Sequence, residues 1–329
     1  MTIDRGLTKT NAGLVSVVRP GLRSGTGLSA SGTARTNCKL AALYLSRFPN
    51  KKSKIKSQKS NTVRLAPTPS GYLHRGNAAN FLLNARLAGP EGRVWLRIDD
   101  LDRGRFRPEY LEDIFRVIER LGITVTDGPS SPRDFSDNWS QEYRMKDYHA
   151  ALGQLRTSGL LFACPCSRTE LANGHQYGCL QGKVSLDAEN VAWRINTRDL
   201  YPVRVPDLVR AEPFAVRLHD VMPDFVVRKK DGRPSYQPAC VVDDNLFGIT
   251  TVGRGQDLLP STAAQALLSR LMGFGELFAR IDFLHHPLLT EADGRKLSKS
   301  AGAEGVSGLG DGFQPAKLEA LVTGWLAGG

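Results

Sequence analysis

The segment TVRLAPTPSGYLHRGNAANFLLNARL, residues 62–87, indicates the fold of this chain more clearly than any other stretch. It begins with a short apolar run, continues through a loop rich in Pro and Gly, and ends in helix-forming residues with apolar side chains at 81, 82, 85 and 87. This pattern predicts a buried strand, a tight loop and a helix. Such units favour a parallel α/β sheet, in which ligands bind beside the carboxyl ends of the strands.

The rest of the body continues the alternation of strands and helices. Strands are predicted at 94–98, 224–228, through Val241-Val242 and at 250–252, and helices at 108–121, 140–157 and 262–272, the last capped by Ser261-Thr262. Residues 180–225 are rich in Pro and Arg and are predicted to be irregular. The predicted fold class is therefore α/β, a Rossmann-type parallel sheet with helices on both faces, interrupted by an inserted connective region at about 164–225.

Composition and charge exclude several classes of protein. The chain has 329 residues, of which 41% are hydrophobic and 23% charged, and no apolar run approaches the roughly 20 residues that span a bilayer, so a membrane protein is not expected. Residues 1–60 carry twelve Lys and Arg against one acid, so the whole net charge of +11 belongs to them and the remainder is neutral. A basic excess confined to a tail argues only weakly for a nucleic-acid groove.

Residues 1–60 are predicted to be a disordered basic extension, since they show no sustained helical or strand period. Three interpretations remain open for this extension. It is a dispensable or artefactual segment, an organelle transit peptide, or an electrostatic arm for RNA phosphates. The second interpretation would place the protein in an organelle rather than in the cytoplasm.

The cysteines indicate a reducing compartment and a metal site. There are five in the chain, without the pattern of a secretory signal peptide, so the cytoplasm is the predicted location. Cys164, Cys166 and Cys179 fall within 16 residues of one another, a clustering that favours a metal ion over disulfide bonds.

The tetrad His74-Arg75-Gly76-Asn77 stands at the predicted start of a helix. Free backbone N–H groups and the positive end of the helix dipole favour phosphate oxygens there, and Gly76 lets a nucleotide approach the backbone. His74 is predicted to donate a hydrogen bond to charge that develops on the α-phosphate of the nucleotide. A structural histidine is the alternative, but the preceding run Ala66-Pro67-Thr68-Pro69-Ser70-Gly71 favours the nucleotide site.

A second signature, Gly294-Arg295-Lys296-Leu297-Ser298-Lys299-Ser300, lies near the end of the chain. In a loop flanked by Gly, Lys296 and Lys299 would supply two mobile positive charges to a triphosphate and to departing pyrophosphate. A solvated lysine loop is the alternative interpretation.

Together these segments resemble the glutamyl-tRNA synthetase family of class I aminoacyl-tRNA synthetases, over residues 62–300. Four more segments share the resemblance: Leu96-Arg97-Ile98-Asp99-Asp100-Leu101-Asp102, Ser235-Tyr236-Gln237, Val241-Val242-Asp243-Asp244 and Gly253-Arg254-Gly255. The resemblance implies ATP-dependent activation of L-glutamate, with Mg²⁺ on the phosphates and without a protein nucleophile. His74, Asn77, Lys296 and Lys299 would be its catalytic residues, and with Gly76 they would bind ATP.

The same resemblance implies a set of glutamate-binding residues. Arg64 and Arg254 match the arginines that bind the glutamate carboxylates, and Tyr236 would provide a hydroxyl and a flat wall. Thr68 would line the pocket through its hydroxyl. Asp99 stands where the family usually has the glutamate that holds the substrate's ammonium group. Arg75 and Gln256 also depart from the family pattern, at positions that do not carry the reaction directly.

Cys164, Cys166, Tyr177 and Cys179 resemble the zinc site of the family. Thiolates are suitable zinc ligands, and four ligands make a closed structural site. The family places its last cysteine four residues after the tyrosine, whereas this chain has two. His175 is therefore an alternative fourth ligand.

The end of the chain narrows the expected function. It stops 29 residues after Ser300, so a catalytic domain at 61–300, a tail at 301–329 and no anticodon-binding domain are expected. This resembles the short glutamyl-Q tRNA(Asp) synthetase branch, which implies transfer of glutamate to queuosine in the anticodon of tRNA(Asp), by a monomer. The alternatives are a glutamyl-tRNA synthetase-like enzyme with another acceptor and a non-catalytic RNA-binding paralogue.

Overall fold

The computed structural model describes residues 60–289, Leu309 and residues 315–327. Nearly all of the predicted basic extension lies outside the described residues, and so does the second signature with Lys296 and Lys299. Among the helices that are described, none combines the length and the apolar character needed to cross a membrane.

The described residues form a mixed α/β structure. Its strands are β1 (Thr62–Leu65), β2 (Arg93–Leu96), β3 (Leu161–Cys164), β4 (Ala192–Ile195), β5 (Val203–Val205), β6 (Phe214–Val216), β7 (Val226–Arg228), β8 (Thr251–Gly255) and β9 (Asp282–His286). Its longer helices are α1 (Arg75–Ala88), α2 (Pro108–Arg120), α3 (Met145–Arg156), α4 (Tyr236–Leu246), α5 (Leu259–Leu271) and α6 (Pro315–Leu326). Shorter helical segments cover Pro132–Asp134, Phe135–Trp139, Gln141–Arg144, Arg168–Leu171, Cys179–Gln181, Leu218–Val221, Gln256–Leu258 and Gly275–Phe278.

Strands β1 and β2 are parallel neighbours connected through α1, which confirms the predicted strand, loop and helix. Val63 stands opposite Val94 and Leu65 opposite Leu96, and all four side chains are buried. Apolar residues of α1, among them Leu83, join the same core. Because the strands run in the same direction, their carboxyl ends lie at one edge, where the loop that leads to His74 begins.

Strands β8 and β9 form a second parallel pair, with α5 between them in sequence. The backbone N–H of Thr250 donates to the carbonyl of Thr62 at 2.8 Å, and the N–H of Thr62 donates to the Thr250 hydroxyl at 2.9 Å. These bonds connect the start of β8 with the start of β1. The two parallel pairs therefore meet edge to edge.

The inserted region is more regular than predicted. Strands β3, β4 and β7 form an antiparallel sheet, and β5 pairs with β6 as an antiparallel hairpin. Apolar residues at alternate positions of β5, Val203 and Val205, are buried, which is the pattern of a half-buried strand. The many Pro and Arg residues concealed these short strands, so the prediction of irregular structure over 180–225 was wrong for them.

The predicted strand through Val241-Val242 is wrong, because both residues lie in helix α4. Every residue from Gln237 to Asp244 is buried, so the segment lacks the polar stripe that marks a surface helix. Short buried helices and buried strands have similar apolar runs, and the β-branched valines favoured the wrong alternative. Helix α5 was predicted, but it begins at Leu259, three residues before the expected start at Thr262.

Asn84 connects α1 to β8, and its loss is expected to destabilise the fold. Its side-chain amide donates to the carbonyl of Gly253 and accepts from the N–H of the same residue, both at 2.9 Å, in a fully buried position. Replacing Asn84 with alanine should lower the free energy of unfolding by about 2 kcal/mol, because the Gly253 N–H loses its partner. Chemical denaturation measures the change.

Asn138 provides the matched control, since its exposed amide donates to Asp134 on the surface. The Asn138→Ala substitution should change stability by less than about 0.5 kcal/mol. Equal effects of the two substitutions would contradict a special role for Asn84.

Candidate active site

His74 caps the N-terminus of α1. Its ring Nδ1 accepts from the N–H of Gly76 at 3.1 Å, and the Asn77 side chain accepts from the backbone N–H of His74 at 3.0 Å. A Cβ atom at position 76 would lie 2.9 Å from the His74 ring, so the glycine leaves room for this cap. The structure thus brings the three residues together at the positive end of a 14-residue helix.

The loop between β1 and α1 is held at both ends. The backbone N–H of Asp99 donates to the carbonyl of Pro67 at 2.9 Å, and the N–H of Leu73 donates to the buried Asp113 at 2.8 Å. Thr68 lies in this loop next to Pro67, and its carbonyl accepts from Ser70 at 2.9 Å. The loop therefore runs beside the acidic segment that follows β2.

Below this loop, two arginines and two acids form a buried network. Arg64 donates its Nε–H to Asp244 at 2.9 Å. Arg97 donates to the same Asp244 oxygen at 2.6 Å and to both oxygens of Asp99 at 2.7 and 3.0 Å. Burial acts to raise the pKa of Asp244, but Arg64, Arg97 and Arg254 outweigh it and hold that pKa below its usual value.

Tyr236 stands at the first position of α4, with its side chain 41% exposed. Arg64, Asp99 and Arg254 all lie within electrostatic range of its hydroxyl. Four of the five predicted glutamate-binding residues are therefore neighbours, although they come from β1, β8, α4 and the segment after β2.

Arg254 differs from the other buried arginines of this region. It is 3% exposed, and its Nη1 donates to the Thr262 hydroxyl at 3.1 Å and to the Gln265 side chain at 2.9 Å. Its Nε and Nη2 are buried and have no hydrogen-bond partner among the described residues. Buried donors without a partner are costly, so this edge of the guanidinium is a candidate for binding a ligand. Its planar fork fits a carboxylate.

Several residues that hold this pocket were not predicted as site residues. Arg97 and Asp244 orient Arg64, and both lie inside segments that the family resemblance had already marked. Thr262 and Gln265 hold Arg254 from α5. Their spacing of three residues on one helix face was the available signal, but nothing in the sequence connected that face to Arg254.

The inserted region contains a second site, a cluster of potential metal ligands: Cys164, Cys166, His175 and Cys179. Their ligand atoms lie within 4.8 Å of one another, with Cys166 Sγ 3.7 Å from Cys179 Sγ and Cys164 Sγ 3.4 Å from His175 Nδ1. Around one tetrahedral zinc ion, with Zn–S of about 2.3 Å and Zn–N of about 2.0 Å, neighbouring ligands stand at about these separations. The donor set and its spacing therefore fit zinc.

Tyr177 does not join this cluster, in contrast to the predicted ligand set. Its side chain is 59% exposed and its hydroxyl donates to Glu170, and this bond together with hydrogen bonds from Ser167 lowers the pKa of Glu170 to about 2. With only one residue between Tyr177 and Cys179, the chain turns tightly, and Tyr177 has a left-handed backbone with φ of 58°. His175, the alternative ligand, lies at the cysteines instead, and its Nε2 stands 3.3 Å from Asp224.

The chain is similar to a known protein family over most of its length. Residues 61–190 and 183–308 match the family described as tRNA synthetases class I (E and Q), catalytic domain. A glutamate-tRNA synthetase from Elizabethkingia anophelis and a glutamate tRNA ligase from Elizabethkingia meningosepticum in complex with its amino acid both superpose with a TM-score of 0.60 and 25% identity. Each covers 75% of this chain, and the chain spans about half of theirs, 54% and 53%.

Two relatives are similar over more of their length. The glutamyl-Q tRNA(Asp) synthetase of Pseudomonas fluorescens is 38% identical over 246 residues, which is 72% of this chain and 75% of the relative. That of a Synechococcus species is 38% identical over 269 residues, 81% of this chain and 82% of the relative. With the matching catalytic-domain family and the arginine pocket, these similarities show that the chain belongs to the class I tRNA synthetases for Glu and Gln, within the glutamyl-Q tRNA(Asp) synthetase family.

Proposed function

We propose that this chain activates L-glutamate with ATP and transfers the glutamyl group to queuosine in the anticodon of tRNA(Asp). The observation that carries the proposal is the buried edge of Arg254, which lacks a partner among the described residues and lies in reach of Tyr236. An acidic amino acid would bring a carboxylate to these two donors. Two relatives that are 38% identical to this chain are named glutamyl-Q tRNA(Asp) synthetase, which supports the proposal.

In the activation step, an oxygen of the glutamate α-carboxylate forms a bond to the α-phosphorus of ATP. The bond from that phosphorus to pyrophosphate breaks, so no protein nucleophile is needed. His74 and Asn77, with Gly76 between them at the start of α1, orient the triphosphate and stabilise the charge on the α-phosphate. Mg²⁺ on the phosphates adds positive charge.

Lys296 and Lys299 complete the proposed catalytic group. Both lie outside the described residues, so their role rests on their motif. Two lysines near the triphosphate would offset the negative charge that accumulates on the departing pyrophosphate.

Glutamate is held by the pocket at the ends of the parallel strands. We assign its side-chain carboxylate to the Nε and Nη2 of Arg254, which leaves the α-carboxylate directed to ATP. Arg64 donates its Nε to Asp244, so its Nη nitrogens are the ones assigned to the substrate. The oxygens of Asp99 accept from Arg97 and have further lone pairs for the substrate's ammonium group. Tyr236 and Thr68 would line the pocket through their hydroxyls.

In the transfer step, a hydroxyl of the queuosine base attacks the glutamyl carbonyl carbon. The bond between that carbon and the phosphate oxygen breaks, and AMP leaves. Bases of single-stranded loops are accessible for such recognition, because they can be turned out of the stack.

The proposed architecture is one Rossmann-type parallel sheet with the order β2-β1-β8-β9 and helices on both faces. The bonds between Thr62 and Thr250 support it, since they connect the two parallel pairs. A catalytic domain at 61–300 with an insertion at about 164–225 and a tail at 301–329 remains the proposed organisation. Action as a monomer in the cytoplasm is proposed with it.

A structural zinc ion is proposed for the inserted region. Cys164, Cys166, His175 and Cys179 would hold it, and Asp224 would orient the His175 ring through Nε2. Four protein ligands close the site, so the ion would stabilise the fold without taking part in the reaction.

Pyrophosphate exchange tests the proposed activation. The purified chain, with glutamate and ATP but without tRNA, is expected to exchange labelled pyrophosphate into ATP. Glutamine and aspartate are expected to support exchange at least about 100-fold less well, because they lack a carboxylate at the position of Arg254. The measurement is the rate of label incorporation at saturating ATP.

The acceptor is tested with labelled glutamate and tRNA(Asp), with and without queuosine. Label on the queuosine-containing tRNA alone supports the proposal. Label at a tRNA 3′ end would indicate a glutamyl-tRNA synthetase-like enzyme with another acceptor. A correctly folded chain without any exchange would be the non-catalytic RNA-binding paralogue.

A further inference from the structure

We infer that Asp207, His285 and Thr262 form a buried hydrogen-bonded chain that positions Arg254, so that the inserted hairpin region helps to set the affinity for glutamate. The inference rests on the proposed function, because it concerns the arginine assigned to the substrate carboxylate. It adds three positioning residues that do not contact the substrate themselves.

The hydrogen-bonded chain begins at Asp207, in the connection between β5 and β6. One carboxylate oxygen of Asp207 stands 2.8 Å from the Nδ1 of His285 and accepts from the backbone N–H of His285 at the same distance. The other oxygen accepts from the N–H of Val209 at 3.2 Å. Both side chains are fully buried, at 0% and 1% exposure. The carboxylate therefore fixes the His285 ring with an Nδ1–H directed to Asp207.

The next contact joins His285 to Thr262, whose hydroxyl stands 2.8 Å from the Nε2 of the ring. The same hydroxyl also lies 3.2 Å from the carbonyl of Leu258, so it is held from two sides. Its lone pair is then directed to the Nη1 of Arg254, which donates to it at 3.1 Å.

The backbone places these groups in register. Arg254 and His285 are direct partners across the parallel pair β8–β9. The inserted region is attached to the same strand, since the N–H of Leu208, next to Asp207, donates to the carbonyl of Phe283 at 2.7 Å. A shift of the β5–β6 hairpin would therefore move Asp207 relative to His285 and, through Thr262, disturb Arg254.

Gln265 holds the same Nη1 from another position on α5, at 2.9 Å, and in turn donates to Gln237 at 3.0 Å. Two supports on one nitrogen leave Nε and Nη2 as the edge presented to a carboxylate. A guanidinium held in advance loses less rotational freedom when the substrate binds. Removal of one support should therefore weaken glutamate binding more than it slows the reaction.

Substitution of Thr262 tests the hydrogen-bonded chain. Thr262→Val removes the hydroxyl and keeps the shape, and the expected result is a rise of about tenfold in the KM for glutamate in pyrophosphate exchange, with kcat and the KM for ATP within twofold. Thr262→Ser should restore the KM. Ser269→Ala, which removes another buried hydroxyl of α5, bonded to the Ala266 carbonyl, is the matched control and should change neither KM.

Asp207→Ala tests the far end of the hydrogen-bonded chain. It provides the deciding measurement of the inference if Thr262→Val does not fold. It should raise the KM for glutamate by about threefold, since it acts through two intervening hydrogen bonds. Unchanged glutamate KM values, or equal rises for glutamate and ATP, would overturn the inference.

A substrate-free measurement separates this inference from the proposed function. In protein labelled with ¹⁵N-arginine, the guanidinium signal of Arg254, assigned with Arg254→Lys, should shift and broaden in Thr262→Val and recover in Thr262→Ser. A chain without glutamate-dependent exchange would refute the proposed function, yet this signal would still show whether Thr262 orders Arg254. An Arg254 signal that is identical in wild type and Thr262→Val would overturn the inference alone.

Discussion

Replacing Arg254 with methionine is expected to lower kcat/KM for glutamate in pyrophosphate exchange by about 10³-fold, which corresponds to about 4 kcal/mol. The arginine is buried, and its Nε and Nη2 have no partner among the described residues, so the substrate carboxylate would be their counterpart. Methionine fills similar space but donates no hydrogen bond. The KM for ATP should stay within twofold, because the nucleotide is assigned to His74 and its neighbours.

The same substitution is not expected to lower the melting temperature of the substrate-free protein. Arg254 has no carboxylate partner among the described residues, and burial of a charge without such a partner is unfavourable. Removing this buried charge should offset the loss of the hydrogen bonds to Thr262 and Gln265. Saturating glutamate should raise the melting temperature of the wild type but not that of Arg254→Met.

Two further variants test whether the effect is specific to the guanidinium group of Arg254. Arg254→Lys keeps the charge without the planar fork and should show an intermediate loss of activity. Arg204→Met, at an exposed position of β5, should remain within twofold of the wild type. Activity of Arg254→Met within tenfold of the wild type would show that Arg254 does not bind the substrate.

Loss of the proposed zinc ion is the second large expected effect, and it concerns stability. The native chain should contain about one zinc ion, and Cys179→Ser should lose it and melt about 10 °C lower. The reason is that the ion holds together the two ends of the segment between Cys164 and Cys179. Elemental analysis and thermal unfolding measure the two quantities.

His175 and Tyr177 separate the two ligand sets. Because His175 lies at the cysteines and Tyr177 is bonded to Glu170, His175→Ala should release zinc to a chelator at least about tenfold faster than the wild type, whereas Tyr177→Phe should not. The spectrum of the Co²⁺-substituted protein provides a second readout, since loss of one nitrogen ligand shifts its visible bands. Zinc loss in Tyr177→Phe with retention in His175→Ala would contradict the proposed ligands.

Local sequence patterns predicted the helices and strands that are buried on one side only, or that begin and end at characteristic residues. The strand at Val63, the loop with its prolines and the helix that starts after His74 all appear as expected, because each has its own signal in a few adjacent residues. The helix α4 does not, since tertiary burial on all sides removes the periodic signal. The short strands of the insertion were missed for another reason, because alternation over three or four residues is a weak signal among many Pro and Arg residues.

For the candidate site as well, the sequence predicted some features and the structure alone showed others. Arg64, Tyr236 and Arg254 were predicted through their motifs, and the structure brings them together. It also shows what motifs do not contain, namely that Arg64 is paired with Asp244 while Arg254 is held by uncharged partners. The choice between Tyr177 and His175 likewise depends on a left-handed turn that the sequence spacing allowed but did not specify.

The sequence by itself determined the α/β character, the helix that starts after His74, the cysteine cluster and the family resemblance, because these depend on residues close together in the chain. Only the tertiary structure decided which buried arginine lacks a carboxylate partner among the described residues and which residue completes the cysteine cluster. Only the structure joined Asp207 to Arg254 through His285 and Thr262. Hydrogen bonds and ion pairs of this kind connect residues far apart in sequence, and their energies depend on distance and burial, which exist only once the chain has folded.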